Sequence, residues 1–403
     1  MSTRIILVSG KGGVGKTSVA AATGLRSAKA GSRTLVMSFD LAHSLGDSFA
    51  VQSALIGLNK GEPRTINDNL SILEIDLYEA LGRQWGDTFQ LVSGMIYGGN
   101  SMQGALASEV GVMPGMEELV ALHCLHEHYE SGNYDVIVVD CPPTAEALAF
   151  VGFVALLEFY VQKRLPVDRR FSRLARPIAL SIDRSWEMFF PEDRHFALIE
   201  QIARRMTAMN GILRDAAITT IRLVSNPEKM VVEETKRALM YFSMYGITCD
   251  AVVMNRLLPD DARSYARRLA SQAAYLAEVE QDFAPVPMWR VPWMPGEVIG
   301  CEALEAFADR LYGESDARDA FITAPAYRVF DPEAAGEPYR LQLRLPFADR
   351  SDIDLARVEE GLAIKIGPFR RVIMLPRVLQ SLNVLGAKLV NDHLTIRFGG
   401  LRA

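Results

Sequence analysis

The sequence predicts an α/β protein: a mostly parallel sheet with helices on both faces, a helical insertion, and a small all-β sandwich at the C-terminal end. Three observations carry that expectation. Short Val- and Ile-rich runs alternate with helical stretches, two long segments break the alternation with helical patterning, and the hydrophobic period switches to two in the last 65 or so residues.

The strand candidates are Ile5-Val8, Thr34-Ser38, Asp135-Val139, Thr219-Val224, Ala251-Met254 and Met288-Val291. Unbroken apolar runs of this kind belong to central strands covered on both faces, and intervening helices favour right-handed crossovers. The first helix follows Thr17, passes through an alanine-rich stretch and stops at Gly31. Regions of about 78–130 and 145–215 read as helical insertions, with loop breaks at Gly98-Gly99-Asn100 and Gly111-Pro114. They hold seven of the sixteen methionines: Met95, Met102, Met113, Met116, Met188, Met206 and Met209.

Pro325, Pro332, Gly336 and Pro338 mark a linker over 324–338, which bounds the α/β domain at 1–323. Beyond it, Tyr339, Leu341, Leu343 and Leu345 share one face of a strand, and Leu362-Ile366, Arg371-Leu375 and His393-Phe398 repeat the signal. A β-sandwich over 339–399 follows. Because such a sandwich buries its own alternating face, it is expected to fold independently and to be dispensable for chemistry upstream.

Composition narrows the function. In 403 residues, 49% are hydrophobic and 23% charged, as in ordinary soluble proteins. A net charge of -6 argues against a nucleic-acid partner. The four cysteines, Cys124, Cys141, Cys249 and Cys301, are scattered without a CxxC pair, which disfavours a disulfide framework or a paired-cysteine zinc site. The most apolar run, Ala147-Leu157, is bracketed by Glu146 and Glu158 and falls short of the roughly 20 residues that span a bilayer. No integral membrane segment is expected, no targeting segment is read before Arg4-Val8, and the expected compartment is the cytoplasm.

Chemistry enters at Gly10-Lys11-Gly12-Gly13-Val14-Gly15-Lys16-Thr17, which satisfies GxxxxGK[ST] between a strand and a helix. The glycines let backbone N–H groups converge on phosphate oxygens, and the helix N-terminus adds partial positive charge. Lys16 is expected to reach the β- and γ-phosphates of ATP, Thr17 to ligate Mg²⁺ directly, and Ser18 to add a nucleotide contact. Two aspartates end strands on the same sheet edge, where ligands collect in open α/β folds. Asp140 ends Val136-Val139, and Asp40 follows Leu35-Phe39. A strand-terminal aspartate is often only a helix cap. Beside the loop, the pair reads as a magnesium ligand and a water-orienting residue.

Lys11 makes the loop KGGxGK[ST], which resembles the deviant Walker A ATPases. That resemblance implies a lysine reaching across a dimer interface onto the partner's nucleotide, as a finger supplied in trans. Further motifs resemble the ArsA/GET family of arsenite-pump ATPases and targeting factors for tail-anchored membrane proteins. They are Asp40-Leu41-Ala42-His43-Ser44 (switch I), Asp140-Cys141-Pro142-Pro143-Thr144 (switch II), Asn226-Pro227-Glu228, Val253-Met254-Asn255-Arg256 and the loop Pro292-Gly300. The likeness covers about residues 1–315. It implies a homodimeric Mg-dependent ATPase that opens and closes with nucleotide. Asp40, Lys11 and Lys16 would carry catalysis, and Asp140 would hold Mg²⁺ through water. Asn255 and Arg256 would lie at the base, Asn255 reading the adenine edge, with Val291 and Pro292 packing on the ring. Two departures stand out: the CxxC of the zinc-bridged targeting factors is absent, so dimerisation without zinc is expected, and Leu41 replaces the usual proline. Residues Tyr339-Phe398, ending in Ala387-Ile396, resemble the α-crystallin fold.

In the targeting factors the insertion shelters an apolar client helix, for which flexible methionine is suited. Here Ala147-Leu157, Phe159-Tyr160, Trp186, Met188, Phe189 and Phe190 could supply such a surface, or could pack on one another. Three functions stay open: a hydrophobic-client ATPase, the ATPase of an anion or metalloid pump, and an ATP-switched regulator using its β-domain for protein contacts. A copurified apolar helix, arsenite-stimulated turnover or an ATP-dependent soluble partner would distinguish them.

Overall fold

The computed structural model describes residues 3–39, 44–51, 61–75, 116–144, 161, 164–182, 190, 192–334, 337–358, 361–367 and 369–401. Eight strands form the large sheet: β1 (Arg4–Gly10), β2 (Thr34–Ser38), β3 (Arg64–Asn67), β4 (Leu70–Glu74), β5 (Val136–Asp140), β6 (Thr219–Ser225), β7 (Cys249–Leu257) and β8 (Met288–Pro292). Their spatial order is β3-β4-β2-β5-β1-β6-β7-β8. All pairs are parallel except β3 with β4 at one edge. Six of the eight match the expected strands; β3 and β4 are additions.

The central strands read as continuous apolar runs because both faces are covered. In β1, Ile5 and Leu7 pack in one core and Ile6 and Val8 in the other. Helix α1 (Lys16–Lys29) and the later helix Cys301–Tyr312 cover the second face, their small alanines allowing close approach to the sheet. Register fixes the functional edge: Asp140 lies opposite both Val8 and Ser38. Main-chain bonds from Phe39 N to Asp140 O (2.9 Å) and from Cys141 N to Val8 O (3.0 Å) extend the pairing past the strand ends.

The remaining helices, numbered in chain order, are α2 (Ser44–Ser48), α3 (Met116–Glu130), α4 (Leu165–Ile182), α5 (Asp193–Arg214), α6 (Lys229–Met244), α7 (Ala266–Asp282), α8 (Cys301–Tyr312) and α9 (Arg377–Gln380). Helices α3, α4 and α5 are the described parts of the expected insertions. Met95, Met102, Met113, Met188, Ala147-Leu157, Phe159-Tyr160, Trp186 and Phe189 lie outside the described residues. Met206 and Met209 are buried in the main core, so these two methionines fill packing space and line no open surface. No helix among the described residues is long and apolar enough to cross a membrane.

The C-terminal part consists of two antiparallel sheets, β14-β15-β10-β9 and β11-β12-β13. Their strands are β9 (Tyr327–Phe330), β10 (Tyr339–Arg344), β11 (Ile353–Val358), β12 (Gly361–Ile366), β13 (Phe369–Met374), β14 (Leu382–Val390) and β15 (His393–Leu401). Strand β9 falls within the expected 324–338 linker, pairing with β10 from Leu343↔Tyr327 to Arg340↔Phe330. The flanking prolines masked a four-residue run that the sheet itself stabilises. Asn391 and Asp392, at φ 49 and 61, join β14 to β15 through a tight turn of the primed type.

The expectation of a self-sufficient sandwich needs correction. Leu341, Leu343, Ile364 and Phe398 share one continuous apolar core with Leu239, Phe242, Tyr245 and Phe283 of the α/β domain. A T-shaped Tyr241–Phe369 contact (5.0 Å) and a Phe283–Phe347 contact (5.6 Å) cross the same boundary. Alternation along a strand identifies an inward face without saying which element covers it, and here α6 and α7 do part of the covering.

Candidate functional site: the phosphate loop and its cavity

The loop leaves β1 at Gly10, whose φ is 156° and where a Cβ would stand 2.2 Å from the Val224 carbonyl oxygen. Only glycine allows that approach to β6. At Gly15 (φ 98°) a Cβ would meet the Asn255 amide nitrogen at 2.5 Å. Between them Gly12 and Gly13 are exposed, while Val14 is buried and anchors the loop to the core. Helix α1 begins directly after Gly15 with no acidic residue in its first turn and no side-chain cap. Its free N–H groups and dipole are thus left to an incoming anion.

Lys16 is buried, and its Nζ donates to the Lys11 carbonyl at 3.4 Å, across the loop. The Lys11 side chain pairs with Glu234 on α6 at 3.6 Å, so within one subunit it is held by its own chain. Thr17 Oγ1 and Ser44 Oγ stand 3.3 Å apart, linking the loop to the start of α2. Asp140 is fully buried at the end of β5. Asp40 lies outside the described residues, along with Leu41, Ala42 and His43; of the described residues on either side, Phe39 bonds to Asp140 and Ser44 to Thr17.

Thr17 and Asp140 are hard oxygen donors, the class that suits Mg²⁺. Ser9 Oγ, near the end of β1, and Thr144 Oγ1, four residues after Asp140, are buried without a hydrogen-bond partner among the described residues. Oxygen donors of this kind suit a hydrated cation with phosphate better than an apolar ligand. A bound Mg²⁺ would neutralise phosphate charge there, held by Thr17 and, through water, by Asp140.

Beside the loop opens a cavity of about 720 Å³, within the range of small-molecule sites. Gly15, Ser18, Asn255, Arg256, Pro292 and Trp293 line it, followed by the rest of the loop to Ile299. Five residues expected at the nucleotide therefore meet around it: Gly15, Ser18, Asn255, Arg256 and Pro292. Val291 does not join them; it is fully buried in the core, because side chains alternate along β8 and its neighbour Pro292 takes the cavity side. Asn255 turns toward the loop, its Nδ2 donating to Val14 O (2.8 Å) and its Oδ1 accepting from Arg256 N (2.9 Å). It braces the phosphate loop, a role its spacing did not suggest.

Three site residues were given no role by the sequence reading, although Trp293 stands in the Pro292-Gly300 loop. Trp293 sits at the mouth of the cavity with Arg256 over its ring at 5.8 Å. Glu74, buried at the end of β4, accepts from Gly46 N at 2.9 Å and so fixes α2. Glu234 is the partner of Lys11. Gly300 N also donates to Ser48 O (2.9 Å), tying the cavity loop to α2. A nucleotide in the cavity would thus touch elements already linked to the segment carrying Asp40.

A strand, a glycine-rich loop opening a helix, and a buried strand-end aspartate in register with it define the P-loop nucleotide hydrolases, here with the second loop lysine of the deviant Walker A class. The anion-transporting ATPase family matches residues 3–313, and the HSP20-like domain found in ArsA matches residues 336–398. The chain belongs to this family and is an ATPase. It is 36% identical to the putative arsenical pump-driving ATPase 1 of Aquifex aeolicus, across 98% of this chain and 99% of that one. Against the putative arsenical pump-driving ATPase of Chlorobaculum tepidum the identity is 35%, across 98% and 96%. The ATPase get3 of Schizosaccharomyces japonicus is 28% identical across 77% of this chain and 93% of its own.

Proposed function

We propose that this ATPase works as a Mg-dependent, zinc-free homodimer in the cytoplasm, whose nucleotide cycle opens and closes a helical surface for an apolar client such as a transmembrane helix. One observation carries the client reading. On α4, Val167, Phe171, Leu174, Ile178 and Ile182 form a stripe at helical spacing, each between 59% and 77% exposed. Five large apolar side chains in solvent on one helix face mark a binding surface more than a packing defect. The opposite side of α4 is pinned to α5 by Arg169 and Arg173 on Asp193, so the stripe is presented and not buried against its neighbour. Helix α5 runs on through Asp215–Ile218 into β6, whose far end lies against Gly10, which gives the nucleotide a route to the stripe.

In this reading Asp40 orients the attacking water, Lys16 holds the transferred phosphoryl group, and Lys11 adds charge from the partner subunit. Asn255, Arg256 and Pro292 hold the nucleoside. The names of the bacterial relatives raise the alternative of a metalloid pump. Arsenite is held by clustered thiols, yet Cys141 and Cys249 are buried in the core, Cys124 is half-buried, Cys301 is exposed, and no group of three potential ligands gathers among the described residues. The client reading is therefore preferred.

Site-specific photocrosslinking with a soluble-tagged apolar helix tests it. Fully burying one such side chain contributes roughly 1.5–3 kcal/mol, so Leu174→Asp with Ile178→Asp should lower capture at least about tenfold. Unchanged capture by that double variant would rule the stripe out as the client surface.

A further inference from the structure

We propose that Glu234 is a positioning residue for Lys11, and that the β-sandwich sets ATP turnover by fixing the helix that carries Glu234. The proposal rests on the reading of Lys11 as a group delivered to the partner's nucleotide.

Helix α6 touches both ends of the problem. Near its start, Glu234 holds Lys11 at 3.6 Å, and the neighbouring Thr235 Oγ1 donates to Ser225 Oγ at the end of β6 (3.0 Å). Val231 and Val232 bury on either side of that attachment, one in each of the two cores. The first two turns are thereby fixed to the strand that borders Gly10.

The later turns belong to the sandwich. Tyr241 meets the Phe369 ring edge-on at 5.0 Å and stacks on Tyr245 at 5.3 Å. The buried guanidinium of Arg371 lies 4.5 Å from the centre of the Tyr245 ring. Lys236, two residues after Glu234, sits 5.8 Å from the centre of the Phe347 ring and pairs with Asp282 at 2.7 Å and Glu278 at 2.5 Å on α7. A hydrogen-bonded helix of this length moves as one body, so a shift where Phe369 and Arg371 grip it tilts it about the Thr235–Ser225 attachment and turns Glu234 relative to Lys11.

What that displacement changes is a two-state choice at Lys11. Its ammonium either stays on Glu234 or leaves for the partner subunit, and it cannot do both. Its carbonyl is engaged as well, by Lys16 at 3.4 Å, so in the resting subunit the residue is gripped by backbone and side chain alike. Release of Glu234 favours delivery of the lysine, and the sandwich determines how easily Glu234 releases. The neighbours of Glu234 along the helix, Glu233 and Lys236, face α7 or solvent and offer Lys11 no equivalent partner.

Steady-state ATP hydrolysis by the full chain tests this. Glu234→Gln should raise kcat roughly two- to fivefold, the worth of a partly exposed ion pair, with the KM for ATP unchanged. Phe369→Leu, which keeps apolar bulk and should fold, is expected to raise kcat in the same direction, as is Arg371→Gln. The double variant Glu234→Gln/Phe369→Leu should exceed neither single variant, because both act on one step. A purely structural role for Phe369 would give additive effects, and additivity would overturn the coupling. An unchanged or lowered kcat for Glu234→Gln beside an inactive Lys11→Ala would overturn the positioning role alone. Full turnover by Lys11→Ala would remove the trans reading, and the proposal with it.

Discussion

Lys16 and Asp40 are chemically distinct and should fail in distinct ways. Lys16 is buried with its ammonium on a loop carbonyl, where it meets phosphate charge both in the bound substrate and in the transition state. Lys16→Ala should lower kcat/KM at least about a hundredfold and weaken nucleotide binding measured by calorimetry. Asp40 acts on water, so Asp40→Asn should keep binding and lose about a hundred- to ten-thousandfold in kcat. Near-normal turnover by Asp40→Asn would move the water-orienting role to another residue. The loop residues were legible in the sequence because a phosphate cradle is a local device, written in eight consecutive positions. Glu74, Glu234 and Trp293 were not, because each becomes a site residue only through a partner distant in the chain: Gly46, Lys11 and Arg256.

Among the elements, α4 and α5 form a pair whose stability has a defined pH dependence. Arg169 donates from two nitrogens to the two Asp193 oxygens at 2.6 Å each, and Arg173 donates from two more to Oδ1 at 2.8 and 3.1 Å. Hydrogen bonds from Arg169 above all hold the Asp193 carboxyl well below the usual carboxylate range; desolvation opposes them, and Arg173 adds a smaller downward share. A depressed folded value means the contribution is complete above the unfolded pKa of about 3.9 and is lost as pH falls through the lower, folded one. Hydrogen exchange of the α4 amides should therefore be flat from pH 7 to 5, after correction for intrinsic rates, and accelerate only below about pH 4. At neutral pH added salt should accelerate it modestly, since the pairs are exposed. An onset near pH 6 would assign the contact to a histidine instead. The elements themselves were unevenly legible. Strands β1, β2 and β5 to β8 announce themselves because both faces are covered. Strand β3 is a short polar edge, β4 is interrupted by Ser71, and β11 carries Asp354 on its open side and Arg357 on the side of Ile353 and Leu355, where it binds the Leu379 and Gln380 carbonyls, so their pattern is weak. The α4 stripe was present in the spacing of Val167, Phe171, Leu174, Ile178 and Ile182, but spacing alone does not tell an exposed stripe from a buried one.

For the whole molecule, the question is whether the sandwich is an appendage or part of the body. A change of hydrophobic period and a proline-rich stretch argue for an appendage, and they correctly locate where the architecture changes. The packing argues for part of the body. Tyr241, Tyr245 and Phe283 meet the sandwich through Phe369, Arg371 and Phe347, and Thr248 binds the main chain at Ala324 and Ala326 on the way in. Removing residues after Pro325 would leave that aromatic face of α6 and α7 in water. Each large side chain so exposed forfeits roughly 1.5–3 kcal/mol of burial, and a loss of several kcal/mol should lower the melting temperature by at least about 5 °C. The truncated chain, residues 1–325, should also bind more of a hydrophobic dye than the full chain, whose α4 stripe sets the background. Its phosphate loop remains intact in sequence, so residual ATP binding would separate damage to the α6 face from collapse of the sheet. An unchanged melting temperature with no added dye binding would mean that the sandwich only rests on α6, and the continuous core would then have to be read as two cores in contact.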